Sequence, residues 1–434
     1  MRGLSKVVLF ILFLAPLVVS GQNYINNPYT RYAIGDLINS GLGYNRSMGG
    51  SGIALRPINQ VNYINPAAYT AQDTMSFLFQ AGLTGRMSTL ASNEASDHAK
   101  NVNIEFLTMG FPITRWWKFS VGLVPYSRIQ YNYLDQPDLG QPEDLSISYT
   151  GSGGFNEFYF GSAWEPIKDV SIGINAGYLF GKLRKERIFR LNNSGLNPTS
   201  ITEDYTANDF YFKFGLQYHP NFTDKKDHKH QFIVGATYDS KANVKVRINA
   251  MSARYFIVTS NIYELVDTFD IVDSLGALTL PQKFGIGFSY VYDDRLAFTA
   301  EYSRQNFTQG IGINRYDRLA DYSSYRFGLE YIPVPITDRQ RAKYYERIHY
   351  RIGGHFTNTY LSFDGKQITD YGISAGLGFP WRNSQKLYTH TSFNLTYEYG
   401  IRGSTSNNLL KENYHIITIG ITLHDFWFLK PKYD

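Results

Sequence analysis

The sequence predicts an all-β fold, a fourteen-stranded antiparallel transmembrane β-barrel, and three observations predict it. The first is composition: 434 residues include 35 Tyr, 30 Phe and 38 Gly, with 16% aromatic and only 18% charged. The second is alternation with period two, apolar on one face and small or polar on the other, through most of the chain. The third is an export signal at the N-terminus. A mean hydropathy of −0.29 would ordinarily place a chain in water. A barrel strand, however, alternates lipid-facing and lumen-facing side chains and averages to neutral.

In chain order, Arg2 and Lys6 precede an apolar run from Val7 to Val19 that stops at Ser20 and Gly21. Residues 1–21 are therefore a signal peptide, with cleavage after Gly21. That run is too short for a membrane helix, and no later stretch offers the ~18 apolar residues one requires. Residues 22–75 lack alternation and are rich in Gly, Ser, Asn and Pro, as in "SGLGYNRSMGGSGIALRPINQVNYINPAAY".

From residue 76 to 434 the alternation takes over. In "VSIGINAGYLF" (170–180), Val170, Ile172, Ile174, Ala176, Tyr178 and Phe180 share one face, while Ser171, Gly173, Asn175 and Gly177 share the other. At about 3.3 Å per residue and a tilt near 40°, such a stretch rises about 25–28 Å, the height of a barrel's apolar band. The pattern recurs at Phe210, Phe212, Phe214 and Leu216, at Phe284, Ile286 and Phe288, and at Ile417, Ile419 and Ile421. Strands are expected to begin near residues 76, 102, 117, 156, 169, 207, 230, 280, 295, 322, 345, 367, 386 and 414, an even set of fourteen.

"PITRW", "EPIKD", "YDDR" and "RNSQK" supply short turns, while 134–155, 191–206, 249–279 and 308–321 supply long loops. This asymmetry puts the long loops outside the cell and the end of the last strand in the periplasm. The segment 249–279, with "ARYFIVTSNIYELVDTF", is apolar enough to be expected to fold back over the barrel mouth. A soluble sandwich would alternate too. Against it stand the export signal, the aromatic residues gathered toward strand ends, and opposite faces built from Gly, Ser and Thr rather than Lys and Glu.

Several chemistries are excluded. The chain has no cysteine, hence no disulfide, no cysteine zinc site, no thiol nucleophile and no anchor through one. A spread net charge of +5 gives no nucleic-acid patch. No cofactor or metal is implied: His228 and His230 lie in the charged turn "DKKDHKH", and the glycine clusters have no βαβ unit around them. His390, Ser392 and Asn394 share a strand face, but i and i+2 positions are about 6.5–7 Å apart, too far for a direct His–Ser contact. The chain is expected not to be an enzyme.

The order Ser40-Gly41-Leu42-Gly43, Gly50-Ser51-Gly52-Ile53-Ala54, Asn65-Pro66-Ala67 resembles the N-terminal hatch of the FadL/TodX family of outer-membrane transporters for hydrophobic compounds. "LPQKFGIGFSYVYDDRLAFTAEY" (280–302) is similar to that family's hairpin opening with Leu-Pro, and "KFSVGLVPYS" (118–127) to its third strand with an internal proline. The resemblance implies a hatch over 22–75 plugging a barrel over 76–434 in the outer membrane of a Gram-negative cell. A barrel of this girth has a lumen that its own side chains cannot fill, so an inserted segment must close it.

It further implies uptake of hydrophobic compounds such as long-chain fatty acids, by hatch rearrangement and lateral exit at a kink carried by Gly122 and Pro125. The competing reading of Pro125 is a harmless bulge. Lumen-facing charges fall at Lys213, Glu301, Arg326, Glu330, Arg351 and Glu398, with Glu301, Arg326 and Arg351 expected at similar heights. They read foremost as an ion-paired wall, with Lys213, Arg326 and Arg351 as the alternative contacts for a fatty-acid carboxylate. The run "KLRKERIFR" (182–190) lies just outside the bilayer, where lipopolysaccharide would meet it. Expected partners are hydrophobic small molecules and outer-membrane lipids, with the barrel a monomer. The alternative of another class is a FadL-like barrel that moves nothing and serves as a partner platform for secretion or surface attachment.

Overall fold

Alternation closes on itself. A computed structural model of the protein describes residues 27–426 except 39–40, 75, 138–144, 192–194, 260–261, 309–318, 335–341, 364, 382–390 and 407–408. The expected signal segment, Ser40 and His390 thus lie outside the described residues. The strands are β1 (Asp36–Leu37), β2 (Ser76–Ala91), β3 (Ser96–Pro112), β4 (Trp117–Asp135), β5 (Leu145–Ile167), β6 (Val170–Leu191), β7 (Thr199–Tyr218), β8 (Asn221–Thr223) and β9 (Lys229–Asp239). They continue with β10 (Ala242–Thr259), β11 (Ile262–Leu280), β12 (Lys283–Tyr292), β13 (Leu296–Gln305), β14 (Tyr322–Tyr331), β15 (His349–Phe363), β16 (Lys366–Pro380), β17 (Ser392–Gly403) and β18 (Lys411–Phe426).

Fourteen of them form an antiparallel ring. It runs from β2 through β7, passes to β9 and β12, continues through β18, and closes where Lys411–Phe426 pairs with Ala91–Ser76. Each of the fourteen expected strands has its counterpart. The outward faces are large and apolar, including Phe212, Phe214, Leu216, Ile286, Phe288, Ile352 and Ile419, all exposed. The inward faces are polar and buried, as at Ser171, Asn175, Gln217, Thr299 and Thr418. Such an inside-out distribution is stable only where the outside solvent is hydrocarbon, as for an outer-membrane barrel.

The structure departs from expectation above the bilayer. β5 begins at Leu145 rather than near 156 and β7 at Thr199 rather than near 207, so 134–155 and 191–206 are strand over much of their length. Up there the outward face meets water instead of lipid while the inward face packs on the segment in the lumen, so hydropathy stops marking a strand whose backbone ladder continues. Residues 249–279 are no lid: β10 and β11 form a long hairpin, with β10 laddered to the upper half of β7 from Val246↔Ala207 to Arg254↔Thr199. Loop asymmetry is also weaker than expected. The outer connection 92–95 is tight, whereas 332–348 on the opposite side is long and carries a 3-10 turn, Tyr344–Arg347.

Candidate functional site

The site is the lumen, and the described residues between 27 and 74 occupy it. In the middle of this segment Asn65 caps the 3-10 turn Pro66–Ala71, accepting a hydrogen bond from the Ala67 N–H at 3.1 Å and donating to the Ile53 carbonyl at 2.7 Å. Pro66 and Ala67 lie against Gly173 and Gly215 of the wall: a Cβ on Gly173 would sit 2.5 Å from Ala67 N, and one on Gly215 2.8 Å from Pro66 Cδ. The small lumen-facing residues seen in the sequence are thus where backbone meets backbone. Gly353 plays the same part on the far side, where a Cβ would lie 2.7 Å from Met48 Cα.

The lower lumen is held by charge. Arg46, on the short helix α1 (Gly43–Ser47), is buried and ion-paired with both Glu105 of β3 and Glu398 of β17, the latter at 3.2 Å. Glu301 accepts hydrogen bonds from the N–H groups of Gly52 and Ile53 at 2.8 and 2.7 Å, and Arg326 donates to the Gly50 carbonyl at 3.0 Å. Arg56 donates to Ser171, Gln217 and Thr70 at 3.2, 3.0 and 3.0 Å. Burial pulls its guanidinium down to about 10, so it stays charged at neutral pH.

The upper lumen is held by apolar contact. Tyr29, Ala33 and Ile34 are buried in one cluster with Ile129, Phe155, Leu183, Tyr205, Val246 and Leu278 of the wall. Asp36 is fixed to Arg402 at 2.6 Å, the Tyr29 hydroxyl donates to the Leu410 carbonyl at 2.6 Å, and Lys185 donates to the Ala33 carbonyl at 3.2 Å.

Between β3 and β4 the wall has a seam. Their ladder runs only from Pro112↔Lys118 to Leu107↔Leu123, leaving 96–106 and 124–135 without a rung between them. It ends beside Pro125, which has no N–H to donate, and β4 bulges against β5 between Pro125 and Ser127. The edge of β4 that β3 leaves is taken by the inserted segment. β1 pairs there, Asp36↔Arg128 and Leu37↔Ser127, and the N–H groups of Ile38 and Asn27 donate to the carbonyls of Tyr126 and Gln130 at 3.0 and 3.2 Å. On the outside two side chains span the gap, Arg128 to the Ile104 carbonyl at 3.1 Å and Asn101 to Gln130 at 2.9 Å. Gly122, just below, faces Tyr159 and Thr108, and a Cβ there would lie 2.7 and 2.8 Å from them.

The three sequence-nominated cations face the lumen, each already engaged. Lys213 is 3.0 Å from Glu157 and stacks over the Tyr63 ring at 3.9 Å. Arg326 lies 3.7 Å from Glu301. Arg351 lies 2.8 Å from Glu330, donates to Asn394 at 3.0 Å and covers the Tyr44 ring at 4.6 Å. The expected common height of Glu301, Arg326 and Arg351 is corrected: Arg326 stands opposite Glu301 and His355, whereas Arg351 stands opposite Glu330, four residues along β14 from Arg326. Sequence reasoning missed Arg46, Glu105 and Glu157. A solitary arginine in "GYNRSMGG" was the available signal, since a charge among small residues that pack on a wall needs a carboxylate opposite.

Cavities remain beside the inserted segment. One of about 70 Å³ abuts the seam, bounded by Leu37, Leu42, Ile64, Val124 and Pro125 together with Glu105 and Lys213. Another, about 160 Å³, is lined by Asp36, Arg46, Arg86, Asp370, Glu398 and Arg402, and the buried Nε atoms of Arg46, Arg86 and Arg402 lack protein partners. So polar a space has the size and the donors to hold water. Pockets for small organic ligands run to ~300–1,000 Å³. In the basic run, Lys182 and Arg184 meet Asp204 at 2.8 and 3.4 Å and Arg187 meets Glu203 at 3.4 Å, so β7 neutralises much of what the sequence offered to lipopolysaccharide.

A family model described as BamG matches residues 4–434. No curated protein matches the chain. Among solved structures, the chain is similar to the monoaromatic hydrocarbon channel CymD at 14% identity, covering 91% of this chain and 100% of that one, with a TM-score of 0.59. It is similar to the P. putida toluene transporter TodX at 13% identity, 91% and 100% coverage and a TM-score of 0.58. A Pseudomonas aeruginosa FadL homologue matches at 11% identity, 91% and 99% coverage and a TM-score of 0.58. At these identities the likeness is one of fold: a FadL/TodX-type barrel.

Proposed function

The chain belongs to the BamG family, and for this member we propose a sealed outer-membrane scaffold, a barrel that presents its extracellular wall to a partner assembly and conducts nothing through its lumen. One observation carries the reading. The apolar upper lumen, which a hydrophobic compound would have to cross, is filled by residues 28–37 of the same chain, with Tyr29, Ala33 and Ile34 buried in it. Below, the inserted segment is tied to the wall through Arg46, Gly52, Ile53 and Arg56. Breaking one buried ion pair costs about 3–5 kcal/mol, and opening the lumen would break several contacts together. The test sets flux against assembly. Purified protein in proteoliposomes is expected to pass toluene and a labelled long-chain fatty acid no faster than empty liposomes, while mild extraction from the membrane brings stoichiometric partner proteins with it. Flux above background would overturn the scaffold.

A second reading, uptake of hydrophobic compounds, is favoured by the seam. Were residues 27–38 to leave the edge of β4, the wall would open beside Pro125 at the level of the outer leaflet, with the 70 Å³ cavity behind it. The fold neighbours described as toluene transporters support this reading in kind. Fatty acids as cargo and exit at Gly122 and Pro125 are its finer form. Pro125→Val separates the two readings: under uptake, flux falls while the barrel assembles; under the scaffold, nothing changes in transport.

A further inference from the structure

The hairpin β10–β11 has an edge with which no described strand pairs. β10 is paired on both sides, with β7 and with β11, but among the described residues β11 pairs with β10 alone. Its foot belongs to the barrel mouth, where Leu278 and Leu280 are buried in the apolar cluster. Above them it rises over the rim, because β12 begins only at Lys283 and pairs there with Asp239 at the top of β9. Ile271 and Leu275 are 74% and 85% exposed, and Leu265, Val266 and Phe269 are exposed beside them.

These side chains stand in water, above the apolar band that starts at Phe284, and an acid recurs among them at every third position. β11 carries Glu264, Asp267, Asp270 and Asp273 and no Lys or Arg; of the acids, Asp273 is bound at the fully exposed Arg247, which holds its carboxyl below the usual range. Natural proteins guard exposed edges with lysine, proline, covering loops or shortness. β11 is 19 residues long, with neither lysine nor proline; its ladder with β10 is regular from Leu280 to Asp270 and bulged beyond it, so the bulges that also guard edges are confined to its upper part. Its acids decide who can pair with it: a second copy would bring acid against acid, and lipopolysaccharide would bring phosphate against carboxylate. An extended strand with basic residues between apolar ones satisfies backbone, charge and apolar face together.

We propose that the free edge of β11, from Glu264 to Leu275, is the docking strand for a partner protein, which adds a basic, alternating β-strand to the extracellular sheet. This rests on the scaffold reading and names its contact surface.

The test uses the full-length protein in intact cells, with a photo-crosslinking phenylalanine analogue placed at Ile271 or Leu275 and, as control, at the lipid-facing Leu216. The expected result is one discrete adduct at 271 and 275, absent at 216. Its cross-linked peptide, mapped by mass spectrometry, should carry alternating apolar and Lys/Arg residues. Reversing charge with Asp267→Lys and Asp270→Lys should cut the adduct at least tenfold while the barrel still shows its heat-dependent shift in gel mobility. An adduct with a second copy, a non-basic peptide, or an adduct indifferent to charge reversal would overturn the proposal. No adduct at 271 and 275 while partners still co-purify would overturn it and leave the scaffold intact. Loss of co-purifying partners together with toluene flux would remove the scaffold itself.

Discussion

The low wall, β12 to β14, and the tall wall, β4 to β7 with β10 and β11, apply the same alternation to different tasks. Each strand of the low wall is 10 residues long, about 25 Å of rise at barrel tilt, which matches the apolar band and no more. β5, β6 and β7 have 23, 22 and 20 residues and carry the same apolar band at their periplasmic halves. Their upper halves, then, are not built for lipid. They enclose the apolar cluster that grips residues 28–37, and beside them the hairpin raises an unpaired edge. At the level of the apolar band the inserted segment is held on both walls by glycine contact and polar groups, as at Gly328 and Glu301 on the low wall and at Gly173 and Gly215 on the tall one; above the band the tall wall holds it by buried aromatic and aliphatic side chains and by a strand ladder. Height beyond the apolar band therefore goes into gripping the inserted segment, and the lumen is sealed differently at its two levels.

Four experiments would break or sharpen that contrast. The largest effect is expected from deleting residues 28–37, which empties the upper lumen and bares the β4 edge. Planar-bilayer recordings, silent for the intact protein, should then show channel openings, and cells should admit bulky antibiotics that they normally exclude. If the deleted protein stays silent, the tall wall's filler is not its seal.

Arg46→Ala comes next. It leaves Glu105 and Glu398 buried without a cation and should cost about 3–5 kcal/mol, read as a lower unfolding temperature and as protease cleavage within residues 41–74. Gly353→Val probes the backbone contact on β15, next to the low wall. Its side chain would collide with Met48, and overpacking of this kind costs about 1–3 kcal/mol, visible as an earlier loss of the folded band on heating. Arg247→Ala should do least. The pair with Asp273 is fully exposed, so unfolding should not shift. The Asp273 carboxyl, held low by Arg247, should titrate upward in NMR. A depressed carboxylate contributes only above its ordinary pKa and loses that contribution as pH falls, so any effect on the hairpin should vanish in acid.

Legibility followed environment. Strands between lipid and lumen were visible because each position had one of two solvents, and Phe284, Ile286 and Phe288 announce theirs. The hairpin was not: in "ARYFIVTSNIYELVDTF" both faces meet water or mixed contacts, so period two is blurred and the segment passed for a loop. Pro125 was visible as a break in the ladder. That β3 parts from β4 all the way from Phe106 to Ser96, and that Asp36 and Leu37 take its place, was not. The cations Lys213, Arg326 and Arg351 were placed inward by parity alone, yet parity is silent about the partner across the lumen.

The sequence by itself determined how many strands cross the membrane and which side chains of each face hydrocarbon, because both follow from a two-residue period that any short stretch displays. Only the tertiary structure decided what fills the lumen, which cations are already engaged and which edge stays open. These depend on contacts such as Asn27 with Glu412, 385 residues apart, and no local pattern encodes a meeting that exists only once the ring has closed.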